Sequence, residues 1–386
     1  MTDVISRRQL LERAAKGGAV LTLPGLLAAC GGGDEESAGG DEQKDKTLAK
    51  TLRMSNWTFY IDIDEETKKR PTLEQFKQKT GTTVRYIEDV NDNASFFNSK
   101  LQGPLSRGQS TNRDIVVLTD NSRYPGLMIR KGWAEKLDKS AIPNIKNLQD
   151  ALKHPSFDPD REYSLPWQSG MTGIAYNDEL TDPVTTVRRL LEDPKLKGKV
   201  TLLTEMGDTM ALVMLENGDD PTKVTGATFD RALKRIQKAV DNGQIRRFTG
   251  NEYTGPLGRG DYAASMSWSG DIVQLSNKHL HWNLPDTGGD IWTDNMLIPK
   301  GGDVYTASTF MNFVYDPKIA AQIEAFINYI CPVKGAREEM LKLDKSLAEN
   351  KLIFPTKEML DNVHIFDSKA LNNQKYLEAW QNLITA

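Results

Sequence analysis

The alternation of predicted strands and helices constrains the fold of this chain more than any other feature. Residues 52–56, 82–88 and 114–119 have the lengths and residue types of short strands, and segments with helical spacing separate them. Such alternation predicts an α/β fold in which helices flank a mixed, mostly parallel sheet. A chain of 386 residues is longer than one hydrophobic core usually supports, so two lobes are expected.

Two extended segments are expected to carry the chain between the lobes. Residues 164–177 are punctuated by glycine and are followed by a new series of strands and helices. Residues 288–299 contain β-branched side chains and end in proline, so we interpret them as the return strand. These segments predict a two-strand hinge beside a cleft, followed by a mostly helical tail. The predicted boundaries place residues 50–170 and 293–345 in lobe 1 and residues 171–292 and 346–386 in lobe 2.

The N-terminal region predicts export and a lipid anchor. Arg7 and Arg8 form a twin-arginine pattern, and the apolar run after them is too short to span a bilayer, so residues 1–29 are interpreted as a signal peptide. The small residues before Cys30 resemble a bacterial lipoprotein signal, in which the cysteine is lipidated. Residues 30–49 are then a flexible linker, because they contain few large apolar side chains. We therefore predict a periplasmic protein that is anchored by lipid alone to the outer face of the cytoplasmic membrane.

The sequence offers little material for catalysis or for a bound metal or cofactor. It contains four histidines and none of the spacings typical of a nucleophilic serine, a zinc site or a phosphate loop. His279 and His281 could share one side of a strand, but a third metal ligand is not evident, so a solvent-facing or structural role is favoured. The formal net charge of −4 argues against nucleic acid, which requires a basic surface. Cys331 lacks a partner once Cys30 is acylated and is predicted to be a core residue.

Tryptophans and acids recur where predicted strands end. Trp292 and Asp294 lie two residues apart on a predicted strand, where a period of two points both side chains the same way. A carboxylate beside an indole suits an organic cation, because the ring attracts the cation and packs its methylene groups. Open α/β sheets bind ligands at the carboxyl ends of strands, so a cleft of rings and acids is predicted. Further residues close to predicted strand ends are Trp57, Tyr60, Thr119, Trp268 and Asp271.

These residues resemble the motifs of the bacterial spermidine/putrescine-binding proteins, which are the solute-binding components of polyamine ABC importers. The resemblance covers most of residues 50–330 and is carried by Asn56-Trp57-Thr58-Phe59-Tyr60, Trp268-Ser269-Gly270 and Gly288-Gly289 through Asp294. It implies a two-lobed periplasmic-binding-protein fold without enzymatic activity or cofactor. It also implies a monomer that delivers a polyamine to an ABC permease and its ATPase. The ligand-binding residues that it implies are Trp57, Tyr60, Thr119, Trp167, Trp268, Trp292 and Asp294.

Two departures from the family leave one end of the site open. The family has an acidic pair at the start of a lobe 2 helix, but the expected Asp aligns with Met206, so Glu205 or Asp208 is predicted to take its place. The late tyrosine of the family has no match in the segment after Ile330. The alternatives are therefore the same fold with another ligand, such as an opine, an amino acid derivative or a small amine, or a lipoprotein used for sensing or adhesion. An exported hydrolase with paired carboxylates is disfavoured, because no nucleophile or metal set is evident.

Overall fold

The computed structural model of the protein describes residues 46–385. The predicted signal peptide, Cys30 and most of the predicted linker lie outside these described residues. Within the described part of the chain, no helix combines the length and the apolar character needed to cross a membrane.

Ten strands form one continuous sheet in residues 46–385. The strands are β1 (Thr51–Trp57), β2 (Thr83–Val90), β3 (Ile115–Thr119), β4 (Ser164–Asn177), β5 (Val200–Leu203), β6 (Ile245–Thr249), β7 (Ala264–Trp268), β8 (Leu280–Asn283), β9 (Gly289–Leu297) and β10 (Val363–His364). The α-helices are α1 (Pro71–Thr80), α2 (Asn93–Phe96), α3 (Gln102–Ser106), α4 (Tyr124–Arg130), α5 (Val187–Glu192), α6 (Met206–Glu216), α7 (Gly226–Asp241), α8 (Thr254–Gly258), α9 (Ser269–Gln274), α10 (Val304–Val314), α11 (Pro317–Ile327), α12 (Ala336–Leu343), α13 (Lys345–Ala348), α14 (Lys357–Asp361), α15 (Ser368–Leu371) and α16 (Gln374–Ile384). A π-helical turn covers Phe97–Leu101, and 3₁₀ turns cover Lys139–Ala141, Pro143–Asn147, Asp150–Leu152, Pro194–Leu196 and Asn251–Tyr253.

Two parallel groups of strands lie on either side of a central antiparallel pair. The order across the sheet is β2-β1-β3-β9-β4-β7-β5-β6, with β10 beside β9 and β8 beside β4. β1 runs parallel to β2 and β3, and β5 runs parallel to β6 and β7. The long strands β4 and β9 pair with each other and connect the two groups. In the structure, lobe 1 denotes β1 to β3 with their helices, and lobe 2 denotes β5 to β7 with their helices. The α/β prediction with mixed, mostly parallel sheets is confirmed.

Helix α7 shows how local sequence specifies an element that covers the sheet. The Thr225 hydroxyl accepts a hydrogen bond from the Thr228 backbone N–H, and the Thr228 hydroxyl accepts one from the Thr225 N–H, which forms a capping box at the start of the helix. Phe229, Ala232 and Ile236 are buried at spacings of three and four residues, so one face of the helix packs inward. Burial of a large apolar side chain stabilises the fold by about 1.5–3 kcal/mol.

The C-terminal tail is not only helical. Val363–His364 forms β10, which adds to β9 in parallel, and two residues are too few to show a strand pattern in the sequence. The following helices pack on lobe 2. Tyr376 stacks on Phe229 with ring centroids 4.0 Å apart, and Trp380 Nε1 donates to the Thr204 carbonyl oxygen at 2.8 Å.

Candidate ligand-binding site

The site lies where residues that follow the strands of lobe 1 meet residues that follow the strands of lobe 2. A cavity lies there, and its empty space together with its opening to solvent amounts to about 350 Å³. This position agrees with the general rule that α/β sheets bind ligands at the carboxyl ends of their strands. The lining residues are Trp57, Thr58, Tyr60, Thr119, Glu205, Asp208, Asn251, Trp268, Asp271, Trp292, Asp294 and Tyr329.

Three tryptophans form the aromatic wall of the cavity. Trp57 and Trp268 end β1 and β7, and Trp292 lies within β9. The rings of Trp57 and Trp268 meet edge to face with centroids 5.5 Å apart, and those of Trp268 and Trp292 do so at 6.2 Å. Trp268 Nε1 donates to Asp208 Oδ1 at 2.9 Å, and Trp292 Nε1 donates to the Thr172 hydroxyl at 3.0 Å. These bonds fix both rings in place beside the cavity.

Asp294 forms the first acidic end of the site. It lies on β9 opposite Thr119 of β3, so the register of the sheet brings the two side chains together. The Thr119 hydroxyl donates to Asp294 Oδ1 at 2.5 Å, and the Tyr60 hydroxyl donates to Oδ2 at 2.8 Å. Burial raises the pKa of Asp294 to about 7, although both hydroxyl donors lower it. The carboxyl group therefore needs a cation to hold its full negative charge at neutral pH.

Asp271 forms a second acidic end. It lies in the first turn of α9, directly after β7. Tyr329 donates its hydroxyl to Oδ1 at 2.7 Å, while Tyr253 and Asn251 donate to Oδ2 at 2.8 and 3.0 Å. Burial raises the pKa of Asp271 to about 6, and the three donors oppose this shift.

Two further acids stand at the start of α6. Asp208 accepts hydrogen bonds from the Thr172 hydroxyl and from Trp268 Nε1 on Oδ1, and from Asn121 Nδ2 on Oδ2 at 3.1 Å. Burial raises its pKa. Burial, and next the neighbouring Asp92 and Asp208, raise the pKa of Glu205 to about 8. Its Oε1 accepts hydrogen bonds from Asn93 of lobe 1.

The structure brings together all but one of the residues that the sequence places in the site. Trp167 does not line the cavity, because its Nε1 donates to the Tyr60 carbonyl oxygen at 3.2 Å and its ring stacks on Phe310 with centroids 6.5 Å apart. It supports the loop that carries Tyr60. The predicted residues that line the cavity are Trp57, Tyr60, Thr119, Glu205, Asp208, Trp268, Asp271, Trp292 and Asp294.

Three further residues that were not predicted from the sequence, Thr58, Asn251 and Tyr329, also line the cavity. Tyr329 is the most informative of the three. The family resemblance places a tyrosine in a turn after Ile330, where this chain has none, but Tyr329 lies directly before Ile330. It enters the cavity because Asn328 ends α11 in the left-handed conformation, with φ of 57°. An asparagine that follows an amphipathic helix was the signal in the sequence for this turn.

Two other sequence features lie outside the cavity lining. His279 Nδ1 and His281 Nε2 both contact the carboxylate of Asp178, at 2.9 and 2.6 Å. No group of three or more histidines, cysteines or acids in residues 46–385 is placed to hold a metal ion. Cys331 is buried and free.

The electrostatic character of the site is one-sided. Four carboxyl groups line the cavity, those of Glu205, Asp208, Asp271 and Asp294, and none of the described lining residues is a lysine, arginine or histidine. Buried carboxylates without a basic partner are costly, and an organic cation that entered the cavity would neutralise them. The tryptophans that line the cavity add to the same preference, because an aromatic ring attracts a cation.

A cavity of rings and acids between two lobes, joined by two long strands, defines the class of a solute-binding protein. The chain belongs to the family of bacterial extracellular solute-binding proteins, whose model matches residues 72–355. It is 25% identical to the spermidine/putrescine-binding periplasmic protein of Escherichia coli K12, over 86% of this chain and 91% of that protein. It is 28% identical to the putrescine-binding periplasmic protein of the same organism, over 79% of this chain and 83% of that protein.

A solved structure has the same fold. The substrate-binding protein of a spermidine/putrescine ABC transporter from Streptococcus pneumoniae superposes with a TM-score of 0.67, at 24% identity, over 87% of this chain and 99% of that chain. The comparisons confirm the family resemblance and the two-lobed fold. Members of this family bind substrates for ABC transporters and are not enzymes, so the prediction that the chain is not an enzyme is confirmed.

Proposed function

We propose that this protein is the substrate-binding lipoprotein of an ABC importer that captures polyamines, such as spermidine or putrescine, and delivers them to a membrane permease. The observation that carries the proposal is the cavity in which four buried carboxyl groups and three tryptophans meet without a basic side chain among the described lining residues. The two relatives from Escherichia coli are spermidine/putrescine-binding and putrescine-binding proteins, and they support the same ligand class.

In the proposed complex, one ammonium group of the ligand binds Asp294 and its methylene groups pack against the tryptophans that line the cavity. Asp271 binds the second ammonium group. Two of its three donors, Asn251 and Tyr329, themselves line the cavity. Asp208 is less suited, because its Oδ2 faces Asn121, which does not line the cavity. A cation–π contact contributes up to about 2 kcal/mol when desolvated. The lobe boundaries predicted from the sequence, with β4 and β9 as the hinge, are part of this proposal.

The main alternative ligand class is an opine or another amino acid derivative. Such a solute carries a carboxylate. That group would enter a cavity lined by four acids, and none of the described lining residues has a basic side chain. The repulsion between like charges in a buried site disfavours this alternative.

A ligand screen tests the proposal. The protein without residues 1–29 is heated with putrescine, cadaverine, spermidine, spermine, amino acids, opines and sugars, and each shift is checked by calorimetry. Ligand at 100 times its Kd adds about 2.7 kcal/mol to the free energy of unfolding. We expect a large upward shift of Tm with at least one polyamine. A shift with an opine or an amino acid and with no polyamine would contradict the proposed ligand class.

The lipid anchor is tested separately by Cys30→Ala. We propose that Cys30 is acylated and becomes the first residue of the mature protein, because small residues precede it in the pattern of a lipoprotein signal. The variant is expected in the soluble extracellular or periplasmic fraction, and the wild type in the membrane fraction. Membrane association that persists in Cys30→Ala would contradict lipidation.

A further inference from the structure

Next to the cavity, the two lobes touch each other directly. Asn93 is the first residue of α2 in lobe 1, and Glu205 precedes α6 in lobe 2. Glu205 Oε1 accepts two hydrogen bonds from Asn93, one from the backbone nitrogen at 2.6 Å and one from Nδ2 at 2.8 Å. Asn93 Oδ1 in turn accepts a hydrogen bond from the Thr119 backbone nitrogen at 3.0 Å, which holds the amide in this orientation. The carboxyl oxygen of Glu205 is therefore already engaged by lobe 1.

A second contact lies beside the first. Asn121 follows β3 in lobe 1, and its Nδ2 donates to Asp208 Oδ2 at 3.1 Å and to Asp290 Oδ2 at 2.6 Å. All three side chains are buried. One amide of lobe 1 thus bridges two acids, one at the start of α6 and the other at the start of β9.

A third contact uses backbone groups. The carbonyl oxygen of Asn91, which follows β2, accepts from the Asn251 backbone nitrogen at 2.9 Å. The side-chain oxygen of Asn91 accepts from the Glu252 backbone nitrogen at 3.1 Å. The turn after β6 in lobe 2 is therefore held by the turn after β2 in lobe 1.

Two glycines make this close approach possible. A Cβ atom added to Gly250 would lie 2.3 Å from the Asn91 carbonyl oxygen, and one added to Gly207 would lie 2.1 Å from Asn121 Oδ1. Both distances are far shorter than any real carbon–oxygen contact, and both neighbours belong to the opposite lobe. Neither Gly207 nor Gly250 has a positive φ, so close approach is what requires the absence of a side chain.

We propose that these contacts form a clasp that holds the two lobes closed, and that Glu205 acts in ligand binding as a positioning residue of this clasp rather than as a partner of the ligand amine. The clasp consists of Asn91, Asn93, Asn121, Gly207, Glu205, Asp208 and residues 250–252. The proposal that the clasp retains a polyamine rests on the proposed function. The contacts of the clasp themselves do not depend on that function. The raised pKa of Glu205 agrees with this role, because a carboxyl group that is largely neutral at pH 7 accepts the Asn93 bonds without offering a full charge to an ammonium group.

Variants of Glu205 and Asn93 separate the clasp from an amine-binding role. Glu205→Gln keeps an oxygen that can accept both bonds from Asn93 but removes the charge, so we expect it to lower polyamine affinity at least about 3-fold less than Glu205→Ala does. Glu205→Ala removes both bonds and is expected to lower affinity about 10-fold, whereas Asn93→Ala removes only the Nδ2 bond and keeps the backbone N–H bond, so it should lower affinity about 3-fold. The loss should appear mainly as faster dissociation, because the clasp must open before a bound ligand can leave.

A double-mutant cycle adds a readout that general loss of stability would not produce. Asn93→Ala and Glu205→Ala should be strongly non-additive in affinity, whereas Asn93→Ala and Tyr329→Phe, which share no hydrogen-bond partner, should add. If Glu205→Gln loses as much affinity as Glu205→Ala, Glu205 binds the amine through its charge, and the proposed role is wrong.

Glycine variants test the closure itself. Gly250→Ala is expected to lower affinity about 10- to 100-fold through the clash with Asn91. Gly255→Ala is the matched control in the next helix, because its added Cβ would meet only the Arg259 side chain at 3.4 Å. Wild-type affinity in Gly250→Ala would overturn the clasp.

Hydrogen exchange in the ligand-free protein keeps this test independent of the ligand. Asn93→Ala should speed exchange of the Asn251 and Glu252 amides, which donate to Asn91, by about 10-fold. Unchanged exchange would overturn the clasp. If the wild type binds no polyamine, the proposed function fails, while the exchange result still decides whether the clasp exists.

Discussion

The two acidic ends of the cavity, Asp294 and Asp271, are built from the same parts but are satisfied to different extents. Asp294 accepts two hydroxyl donors, one on each oxygen. Asp271 accepts three donors, two of them on Oδ2. Since a carboxylate offers about four acceptor positions, Asp294 keeps two for a ligand and Asp271 keeps one.

Because of this difference, the two acids are expected to contribute unequally to the binding of a dication. Burial raises the pKa of Asp294 to about 7 and that of Asp271 to about 6, in agreement with the smaller number of donors at Asp294. The acid with fewer protein partners depends more on the ligand. We therefore expect Asp294 to be the main ammonium anchor and Asp271 the secondary one.

The largest expected effect comes from Asp294→Asn. The amide keeps the shape but cannot form a charged hydrogen bond, which is worth about 1.5–3 kcal/mol, so affinity for diamines should fall about 10- to 100-fold. Tm of the ligand-free protein should rise at pH 8, because the variant removes a buried charge. Calorimetry and thermal unfolding measure the two quantities. Unchanged affinity would remove Asp294 from the site.

A change of pH should act through the same acids. Ligand affinity is expected to fall about 10-fold or more between pH 7.5 and 5.5, because protonation removes the charge first from Asp294 and then from Asp271. The fall should be shallower in Asp294→Asn. A flat profile in the wild type, measured by calorimetry in matched buffers, would mean that neither carboxylate is the anchor.

The stability of the ligand-free protein should depend on pH in the opposite sense. Folded Asp294 has a pKa of about 7, raised from 3.8, so between these values the folded state binds more protons than the unfolded state. Asp294 therefore adds most to the free energy of unfolding at acidic pH, and this contribution is lost as pH rises from about 4 to 7. Asp271 adds the same trend up to about pH 6. Thermal unfolding from pH 4 to 8 checks the sign.

Asp271→Asn is expected to have a smaller effect than Asp294→Asn. With one acceptor position left for the ligand, loss of its charge should lower affinity about 5- to 10-fold. Equal losses in the two asparagine variants would abolish the distinction between a main and a secondary anchor. If each acid binds one amine, the ratio of the affinity loss in Asp294→Asn to that in Asp271→Asn should be largest for short diamines.

The smallest effects should come from the hydroxyl donors. Tyr60→Phe leaves Asp294 with one donor and Tyr329→Phe leaves Asp271 with two, so affinity losses of about 5-fold and 2-fold are expected. Both variants keep the ring, which is the built-in control for packing. A greater loss in Tyr329→Phe than in Tyr60→Phe would reverse the order of the two ends.

Much of the site could be predicted because its signals are local. The spacing of Trp292 and Asp294 on one strand, and the positions of Trp57 and Trp268 at the ends of strands, follow from patterns a few residues long. Trp167 shows the limit of this reasoning. It occupies a central strand, yet its ring packs on Phe310 and its Nε1 supports Tyr60; the pairing of β4 with β9 shifts register between Pro166 and Gln168, which a regular alternation of side chains does not predict.

The α/β pattern, the two long strands that connect the parallel groups and the acids that line the cavity could all be predicted from the sequence. The side chains that donate hydrogen bonds to those acids could be identified only in the folded protein. Tyr60 and Asp294 are 234 positions apart in the chain, and Tyr329 and Asp271 are 58 apart. Asn93 and Glu205, two residues of the clasp, are 112 positions apart. Local periodicity specifies the face on which a side chain lies, but the partner that it meets depends on sheet register and lobe closure, which are long-range packing outcomes.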